Sequence, residues 1–355
     1  MRRLTAELPG VGGALRERCE DFFVEEIPAY APSGVGEHIF VDLEKTDLST
    51  FEAVRRIARA LGVADADIGT AGLKDRRAVT RQRISLPPPV TPEAALALAV
   101  PGVTVLAAAR HEHKLRTGHQ RGNRFRLRVS RLDIPDDEAV RLATAILTRL
   151  ARAPGLPNRF GAQRFGARGD NARRGRALLA GERLPGGPPS PRERRLLLSA
   201  WQAEIFNRWL DERLDDGLLD RVLEGDLLAK VATGGVFPTD DPAIDQPRLD
   251  AGELVPTGPM PGAEMRAPRA GTLCALREER LLAADGLSPE CLARWSRLMP
   301  GTRRPAAIPL GDARAAVAEG GGLLLEFTLP SGAYATVVAE EVMKCAILPL
   351  GDEPD

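Results

Sequence analysis

Alternation of apolar and polar residues marks a strand early in the chain. In the stretch EHIFVDLEK (37–45), Ile39, Val41 and Leu43 fall on one face of an extended chain and Phe40 on the other. The pattern therefore predicts a sheet strand at 37–45.

Helical spacing begins a few residues later. Ser49 and Glu52 form an S-x-x-E capping box, and Gly62 stands where a C-terminal glycine is expected. The residues predicted to face the core are Phe51, Val54, Ile57, Ala58 and Leu61. The pattern predicts a helix that begins after Ser49 and ends at Gly62.

A second alternating stretch carries arginine on one face. The apolar face of RFRLRV holds Phe125, Leu127 and Val129, and the opposite face holds arginines. Eight Lys or Arg lie between 110 and 131: Arg110, Lys114, Arg116, Arg121, Arg124, Arg126, Arg128 and Arg131. Like charges on one strand face are unfavourable unless acidic neighbours or phosphates neutralise them. The sequence leaves both explanations open.

The remaining periodic segments predict a second domain. A helix is predicted from Asp136 to Ala153, where Pro154 ends it. An amphipathic helix occupies LLLSAWQAEIFNRWLDERL, and a Pro- and Gly-rich stretch with short strands extends to about residue 300. The last part of the chain is predicted to contain a buried strand at 323–329 and a helix after PSG. We interpret the middle segment as an inserted domain.

Composition and charge exclude several classes of protein. A chain of 355 residues with 43% apolar residues is long enough for two cores, and its 49 basic and 49 acidic residues balance. The N-terminus lacks an apolar signal region and no long apolar run exists, so we expect neither secretion nor membrane insertion. The four cysteines are too scattered for a disulfide framework, and His111, His113 and His119 lack the partners of a metal site.

The stretch GTAGLKDRRAVTRQR (69–83) holds the candidate for chemistry. Asp75 lies among Lys74, Arg76 and Arg77, on a turn that enters a strand ended by PPP. Taken alone, an aspartate in such a turn is most often a solvated surface charge. An ionised carboxylate held for catalysis is the alternative.

A second arginine-rich stretch, LPNRFGAQRFGARGDNARRG, contains two phenylalanines. Arginine, aromatic and amide side chains interleaved in one loop suit RNA, where phosphates bind arginine and unstacked bases bind rings. Equally, Phe160 and Phe165 could be local anchors and the arginines solubilising. The glycine spacing does not match a nucleotide-binding loop.

Six segments together resemble the successive motifs of the TruD family of tRNA pseudouridine synthases. They are EDFFVEEIP with GEHIFVDLEK, AGLKDRRAVTRQ, RGNRFRLRV, PNRFGAQRFG, SAWQAEIFN and LPSGAYATVVAEEVMK. They occur in the family's order and across most of the chain, which is far more specific than any single motif.

The resemblance implies an α+β fold built around a mixed, largely antiparallel sheet, with a second α+β (TRUD) domain inserted in it. The catalytic domain would comprise 1–155 and 305–355, the inserted domain 156–304, and RNA would lie in the cleft between them. It further implies that the protein isomerises uridine to pseudouridine, characteristically at position 13 in the D-arm of tRNA, without metal or organic cofactor. We expect a cytoplasmic monomer whose partner is tRNA, with no membrane association and no obligate protein partner.

The resemblance also assigns the site. It makes Asp75 the catalytic nucleophile or base, Phe125 the ring that stacks on the target base, and Asn123 a residue that orients the site. Arg16 replaces a lysine of better-known members that is thought to pair with the catalytic aspartate, and a cation within about 4–6 Å favours the ionised carboxylate. The other expected substrate-binding residues are Glu20, Gln82 and Phe160, and the expected RNA-backbone contacts are Lys74, Arg76, Arg77, Arg121 and Arg164.

One function of another class stays open. A catalytically silent RNA-binding protein on the same scaffold would retain the basic surfaces, but an intact motif around Asp75 favours the enzyme. An aspartate-dependent hydrolase or phosphotransferase would need metal-binding carboxylates near Asp75, where the sequence has arginines instead.

Overall fold

A computed structural model describes residues 2–347 of the chain. Within those residues the strands are β1 (Ala14–Leu15), β2 (Phe22–Pro28), β3 (His38–Thr46), β4 (Gly69–Thr70), β5 (Val79–Leu86), β6 (Val103–His111), β7 (Gln120–Ser130), β8 (Leu156–Pro157), β9 (Leu227–Lys230), β10 (Val236–Pro238), β11 (Leu254–Met260), β12 (Thr302–Pro305), β13 (Ala307–Ile308), β14 (Gly311–Val317) and β15 (Leu323–Pro330). The helices are α1 (Thr50–Leu61), α2 (Pro92–Leu96), α3 (Asp136–Ala151), α4 (Asn171–Leu179), α5 (Pro191–Asp215), α6 (Pro242–Asp250), α7 (Leu273–Ala283), α8 (Pro289–Ala293) and α9 (Ala335–Met343).

The main sheet has the strand order β14-β15-β7-β2-β5-β3-β6, with β1 also paired to β7 and β4 to β5. Its strands pair antiparallel except β2 and β5, which run parallel with Phe23 opposite Val79. The predicted α+β fold with a mixed, largely antiparallel sheet is confirmed. This one parallel pair brings the start of β5 beside β2.

Helix α1 has the predicted ends. The Ser49 side chain accepts a hydrogen bond from the Glu52 backbone, and Gly62 ends the helix in the left-handed conformation with φ 68°. Ile57 and Ala58 pack against the strand residues Ile39, Val41 and Leu43 as expected. Phe51 was predicted to face the core, but it is 55% exposed, because the buried face of α1 runs through Thr50, Ala53 and Ile57 instead.

The chain divides into two compact units, each made of separate segments. One unit comprises Gly10–Leu147 and Gly311–Gly332 and contains the main sheet. The other comprises the residues up to Pro9, Thr148–Leu310 and the chain from Ala333 onward. The division predicted from the sequence, 1–155, 156–304 and 305–355, has different ends and stays a prediction.

The core of the second unit forms around the 25-residue helix α5. The helix is buried on more than one side, with Trp201 in one core cluster and Phe206, Trp209 and Leu210 in another. Trp209 lies so close to Gly258 of β11 that a side chain there would collide with the indole. A four-stranded sheet of order β10-β9-β11-β12 completes this unit. Among the described residues, no helix is both long and apolar enough to cross a membrane.

Candidate active site

Asp75 lies on the loop between β4 and β5, as the sequence predicted. Its side chain is 25% exposed, so the carboxylate is neither fully solvated nor sealed in the core. Gly72, three residues earlier, approaches Gln120 so closely that an added Cβ would lie 2.6 Å from the Gln120 amide nitrogen. A larger residue at position 72 would therefore displace the Gln120 side chain, which lies at the start of β7 and contacts Lys74.

Arg16 is paired with the candidate catalytic carboxylate. Its guanidinium donates to Asp75 Oδ2 at 3.1 Å, and the arginine side chain is only 6% exposed. The same guanidinium lies 3.6 Å from the centroid of the Phe22 ring, which fixes its position by a cation–π contact. A buried, oriented cation therefore faces the half-buried carboxylate.

A buried lysine holds the backbone of the loop that carries Asp75. Lys45 Nζ donates to the Asp75 carbonyl oxygen at 2.9 Å and also to the Leu48 carbonyl oxygen. Since Lys45 is fully buried at the end of β3, both bonds are made away from water. This contact fixes the main chain of Asp75 rather than its carboxylate.

Thr50 and Gln82 fasten the loop from a second direction. The Thr50 hydroxyl accepts a hydrogen bond from the Lys74 backbone at 3.0 Å and donates to Gln82 Oε1 at 3.0 Å. Gln82 is buried on β5 and makes this contact inside the protein. The contact with Thr50 helps to hold the loop, and the expected substrate-binding role of Gln82 stays a prediction.

The Lys74 side chain points into the protein. It is 3% exposed, and its ammonium contacts Glu26 at 2.6 Å and Gln120 Oε1 at 2.9 Å. The Lys74 charge is paired with a buried carboxylate, and the expected contact of Lys74 with the RNA backbone stays a prediction.

Phe125 is part of the core of the main sheet. It is 5% exposed, with its ring stacked on Phe327 at 5.4 Å and edge-to-face with Phe22 at 6.4 Å. Phe125 thus packs against two other rings of the sheet, and its expected stacking on the target base stays a prediction. Its neighbour on β7, Asn123, keeps a buried Oδ1 that has no hydrogen-bond partner within residues 2–347.

The remaining predicted residues of this unit are on its surface. Glu20 is exposed on the short 3-10 helix Cys19–Asp21. Arg76 lies 3.8 Å from Asp47. Arg77 and Arg121 are exposed and make no ion pair with any residue that the structure describes.

Acidic side chains answer the arginine face of β7. Arg124 pairs with Glu25 at 3.2 Å, and Arg126 approaches Glu326 at 3.6 Å. Arg128 approaches the buried Asp21 at 3.5 Å. Of the two explanations left open by the sequence, acidic neighbours account for this arginine face without phosphates.

Phe160 and Arg164 belong to the other compact unit. Phe160 is buried in the core, in contact with the Phe206 and Tyr334 rings, and the Arg304 guanidinium lies 3.9 Å from its centroid. Arg164 lies 5.6 Å from the same ring. The structure therefore places Phe160 as a local anchor, which is one of the two alternatives that its sequence left open.

The histidine cluster packs against aromatic rings. His111 stacks on Tyr30 at 5.4 Å and contacts Phe40, and burial, together with His113, lowers the pKa of His111. In the part of the chain that the structure describes, no group of three or more His, Cys, Asp or Glu side chains could hold a metal ion.

Lys45 and Glu26 were not predicted from the sequence, although the pattern of each strand contains a signal for them. Lys45 continues the buried face of Ile39, Val41 and Leu43, and a lysine on such a face requires a buried acceptor. Glu26 likewise continues the buried face of β2 after Phe22 and Val24. In both strands the signal is a charged residue at a position that continues the buried apolar face.

The geometry limits what this site can do chemically. A carboxylate that is partly shielded from water and paired with a fixed guanidinium can act as a nucleophile or as a proton acceptor. The loop that carries it is held by buried bonds to Lys45 and Thr50. The site is thus preorganised for a reaction at one carboxylate.

Comparison with known proteins identifies the family. The model of the family described as tRNA pseudouridine synthase D (TruD) matches residues 1–183 and 190–342. The tRNA pseudouridine synthase D of Anaeromyxobacter sp. (strain Fw109-5) is 48% identical over 99% of this chain and 98% of its own length. That of Thermus thermophilus is 42% identical over 97% of this chain and 92% of its own length.

A solved structure shares the fold. The crystal structure of a TruD protein from Methanosarcina mazei superposes with a TM-score of 0.79 and covers 98% of this chain and 96% of its own, at 24% sequence identity. The family model and the relatives extend over nearly the whole length of the chain, and the sheet that carries Asp75 lies within the matched residues. The chain belongs to the tRNA pseudouridine synthase D (TruD) family.

Proposed function

We propose that the protein isomerises uridine to pseudouridine in tRNA, at position 13 of the D-arm, with Asp75 as nucleophile or base. Relatives that carry the name tRNA pseudouridine synthase D cover nearly the whole chain. The observation that carries the proposal is the half-buried Asp75 carboxylate paired at 3.1 Å with the buried Arg16.

The reaction is an exchange of bonds within one nucleotide. The bond from C1′ of the ribose to N1 of uracil breaks and a bond from C1′ to C5 forms, while C5 loses a proton and N1 gains one. Asp75 either adds to a carbon atom or removes a ribose proton, and both routes need an ionised carboxylate. The Arg16 guanidinium donates to the carboxylate at 3.1 Å and holds it in place for either route.

The target base has to leave its stack to reach Asp75. Extruding a base costs a few kcal/mol, which contacts in the site must offset. We propose Asn123 as a residue that orients the site, since its buried Oδ1 is a hydrogen-bond acceptor that has no partner among residues 2–347.

Arginines outside the site are proposed to bind the RNA backbone. Arg77 and Arg121 are exposed without ion-pair partners in the described chain, Arg76 lies 3.8 Å from Asp47, and Arg164 would serve in the other unit. Glu20 is retained as an exposed candidate for substrate contact. We further propose that the protein acts as a cytoplasmic monomer with tRNA as partner and without metal or organic cofactor.

The test compares wild type, Asp75→Asn and Asp67→Asn on unmodified tRNA transcripts, with pseudouridine mapped at each position. Asp67 is an exposed carboxylate of the same unit and serves as the matched control. We expect wild type and Asp67→Asn to convert position 13 and Asp75→Asn to lose conversion.

Each other outcome removes one part of the proposal. Conversion only at another position refutes the choice of position 13. Equal conversion by Asp75→Asn refutes the role of Asp75. RNA binding by wild type without any pseudouridine supports the catalytically silent alternative.

A further inference from the structure

A cavity of about 630 Å³ lies within the unit that contains α5. Its walls come from the 3-10 helix Ala162–Phe165, the loop that follows it, α4, and one face of α5. The volume is within the range of roughly 300–1,000 Å³ that is usual for small-ligand sites. The cavity is therefore large enough for one nucleotide.

One carboxylate in this cavity has no partner. Glu204 and Arg208 are spaced i, i+4 on α5 and could pair, but Arg208 donates instead to Asp285 Oδ1 at 2.6 Å. Asp285 Oδ2 in turn accepts from the Trp201 indole N–H at 2.6 Å. Glu204 is left without a hydrogen bond or ion pair to any residue between 2 and 347.

The unpaired carboxylate is also partly desolvated. Burial raises the pKa of Glu204, and the nearby Arg208 only partly opposes this effect. A carboxylate that has lost part of its hydration without gaining a partner is less stable than one that is fully hydrated. A ligand that offers N–H donors to Glu204 would offset that cost.

A free cation and an aromatic ring face the same cavity. Arg168 is exposed and makes no ion pair or hydrogen bond within the described part of the chain. Phe165, on the 3-10 helix, is partly buried against the core and lines the cavity. An acceptor, a ring and a cation in one cavity match the base edge, base face and phosphate of a nucleotide.

We infer that this cavity binds an unstacked guanine nucleotide of the RNA substrate, with Glu204 accepting from the base, Phe165 against its face and Arg168 on its phosphate. Guanine presents two adjacent donors, the N1–H and the 2-amino group, which a carboxylate accepts as a pair. Adenine, cytosine and uracil each present a single donor group beside an acceptor, which the carboxylate would repel. The origin of the nucleotide in tRNA rests on the proposed function.

The first experiment measures binding of mononucleotides to the full-length protein by calorimetry. We expect 5′-GMP to bind about tenfold more tightly than 5′-AMP or 5′-IMP, since IMP lacks only the 2-amino donor. Glu204→Gln should remove this preference, and Arg168→Ala should weaken all three nucleotides alike. Arg195→Ala, which removes an exposed arginine of α5 outside the cavity, is the control.

The second experiment measures pseudouridine formation on tRNA transcripts. If a guanine of the RNA occupies the cavity, Glu204→Gln should raise KM about tenfold while Arg195→Ala leaves KM unchanged. Thermal melting of each variant shows whether it is folded.

The outcomes separate this inference from the proposed function. Failure of GMP to bind more tightly than AMP at millimolar concentration overturns the guanine site. A guanine preference with an unchanged KM for Glu204→Gln shows a site for a free nucleotide and overturns the link to RNA. A guanine preference in a protein that makes no pseudouridine refutes the proposed function and leaves the site standing.

Discussion

The Arg16 guanidinium donates to the Asp75 carboxylate at 3.1 Å across 59 residues of sequence. Arg16 adopts a left-handed backbone conformation, with φ 63°, which is uncommon for a residue with a side chain. The protein thus retains a strained residue where it supplies the cation of the candidate site.

Arg16→Gln should lower kcat/KM for tRNA by roughly 10- to 100-fold, because a hydrogen bond between charged groups contributes about 1.5–3 kcal/mol. Arg16→Lys keeps the charge and should recover part of the loss. Arg131→Ala, at an exposed ion pair with Glu17, is the matched control. Steady-state kinetics on folded variants measure this effect, and an unchanged kcat/KM in Arg16→Gln would contradict a role for the pair.

Lys74→Met should lower the free energy of unfolding of the sheet-containing unit by about 3–5 kcal/mol, because it leaves the Glu26 carboxylate buried and unpaired. The double variant Lys74→Met/Glu26→Leu should recover much of that loss. Urea unfolding of the full chain measures both. If the double variant were no more stable than Lys74→Met, the cost would not come from the unpaired carboxylate.

Arg77→Ala and Arg121→Ala should each weaken RNA binding and reduce the slope of log K against log salt by roughly one, as expected for a lost phosphate contact. Arg124→Ala should change the slope little, because Arg124 is already paired with Glu25. Binding titrations over a range of salt concentrations compare the three. Equal slopes for all three variants would contradict the expectation that an arginine already paired with a carboxylate contributes less to phosphate binding.

Glu204→Gln should stabilise the protein at neutral pH. The pKa of Glu204 is raised in the folded state above its ordinary value of 4.5, mainly by burial, so below pH 4.5 the carboxyl is protonated in both states and costs nothing. As pH rises from 4.5 through the raised pKa, the unfolded state ionises first and the wild type loses stability relative to the variant.

Melting temperatures of wild type and Glu204→Gln at pH 4 and pH 7 test this sign. The advantage of the variant should be small at the lower pH and larger at the higher pH. The groups that modulate it are Arg208, Asp211, Asp285 and Arg159. A larger advantage at pH 4 would mean that the carboxylate is stabilised by a partner.

Local sequence rules predicted much of the fold. The ends of α1 follow from Ser49 and Gly62, because capping depends on residues within one turn. The strands that contain Ile39 and Phe125 follow from period-two alternation. These features are local, so a single sequence suffices for them.

The partners within the site could not be derived from local patterns. The acceptor of Lys74 is Glu26, 48 residues earlier, and only the pairing of strands brings the two together. An arginine stripe gives no sign of whether neighbouring strands carry acids, and those of β7 have them on β2, on β15 and on the 3-10 helix before β2. The stretch around Asp75 alone indicates a solvated turn charge, and only the whole set of motifs indicates a catalytic carboxylate.

The bond from the Lys74 backbone amide to the Thr50 hydroxyl has a consequence for how substrate is engaged. That amide should exchange with deuterium as slowly as the neighbouring sheet amides, because releasing it requires opening the start of α1. A loop anchored in this way does not travel to meet a stacked nucleotide. The RNA therefore has to change conformation for the target nucleotide to reach the site. RNAs that are already unpaired near the target should be converted fastest.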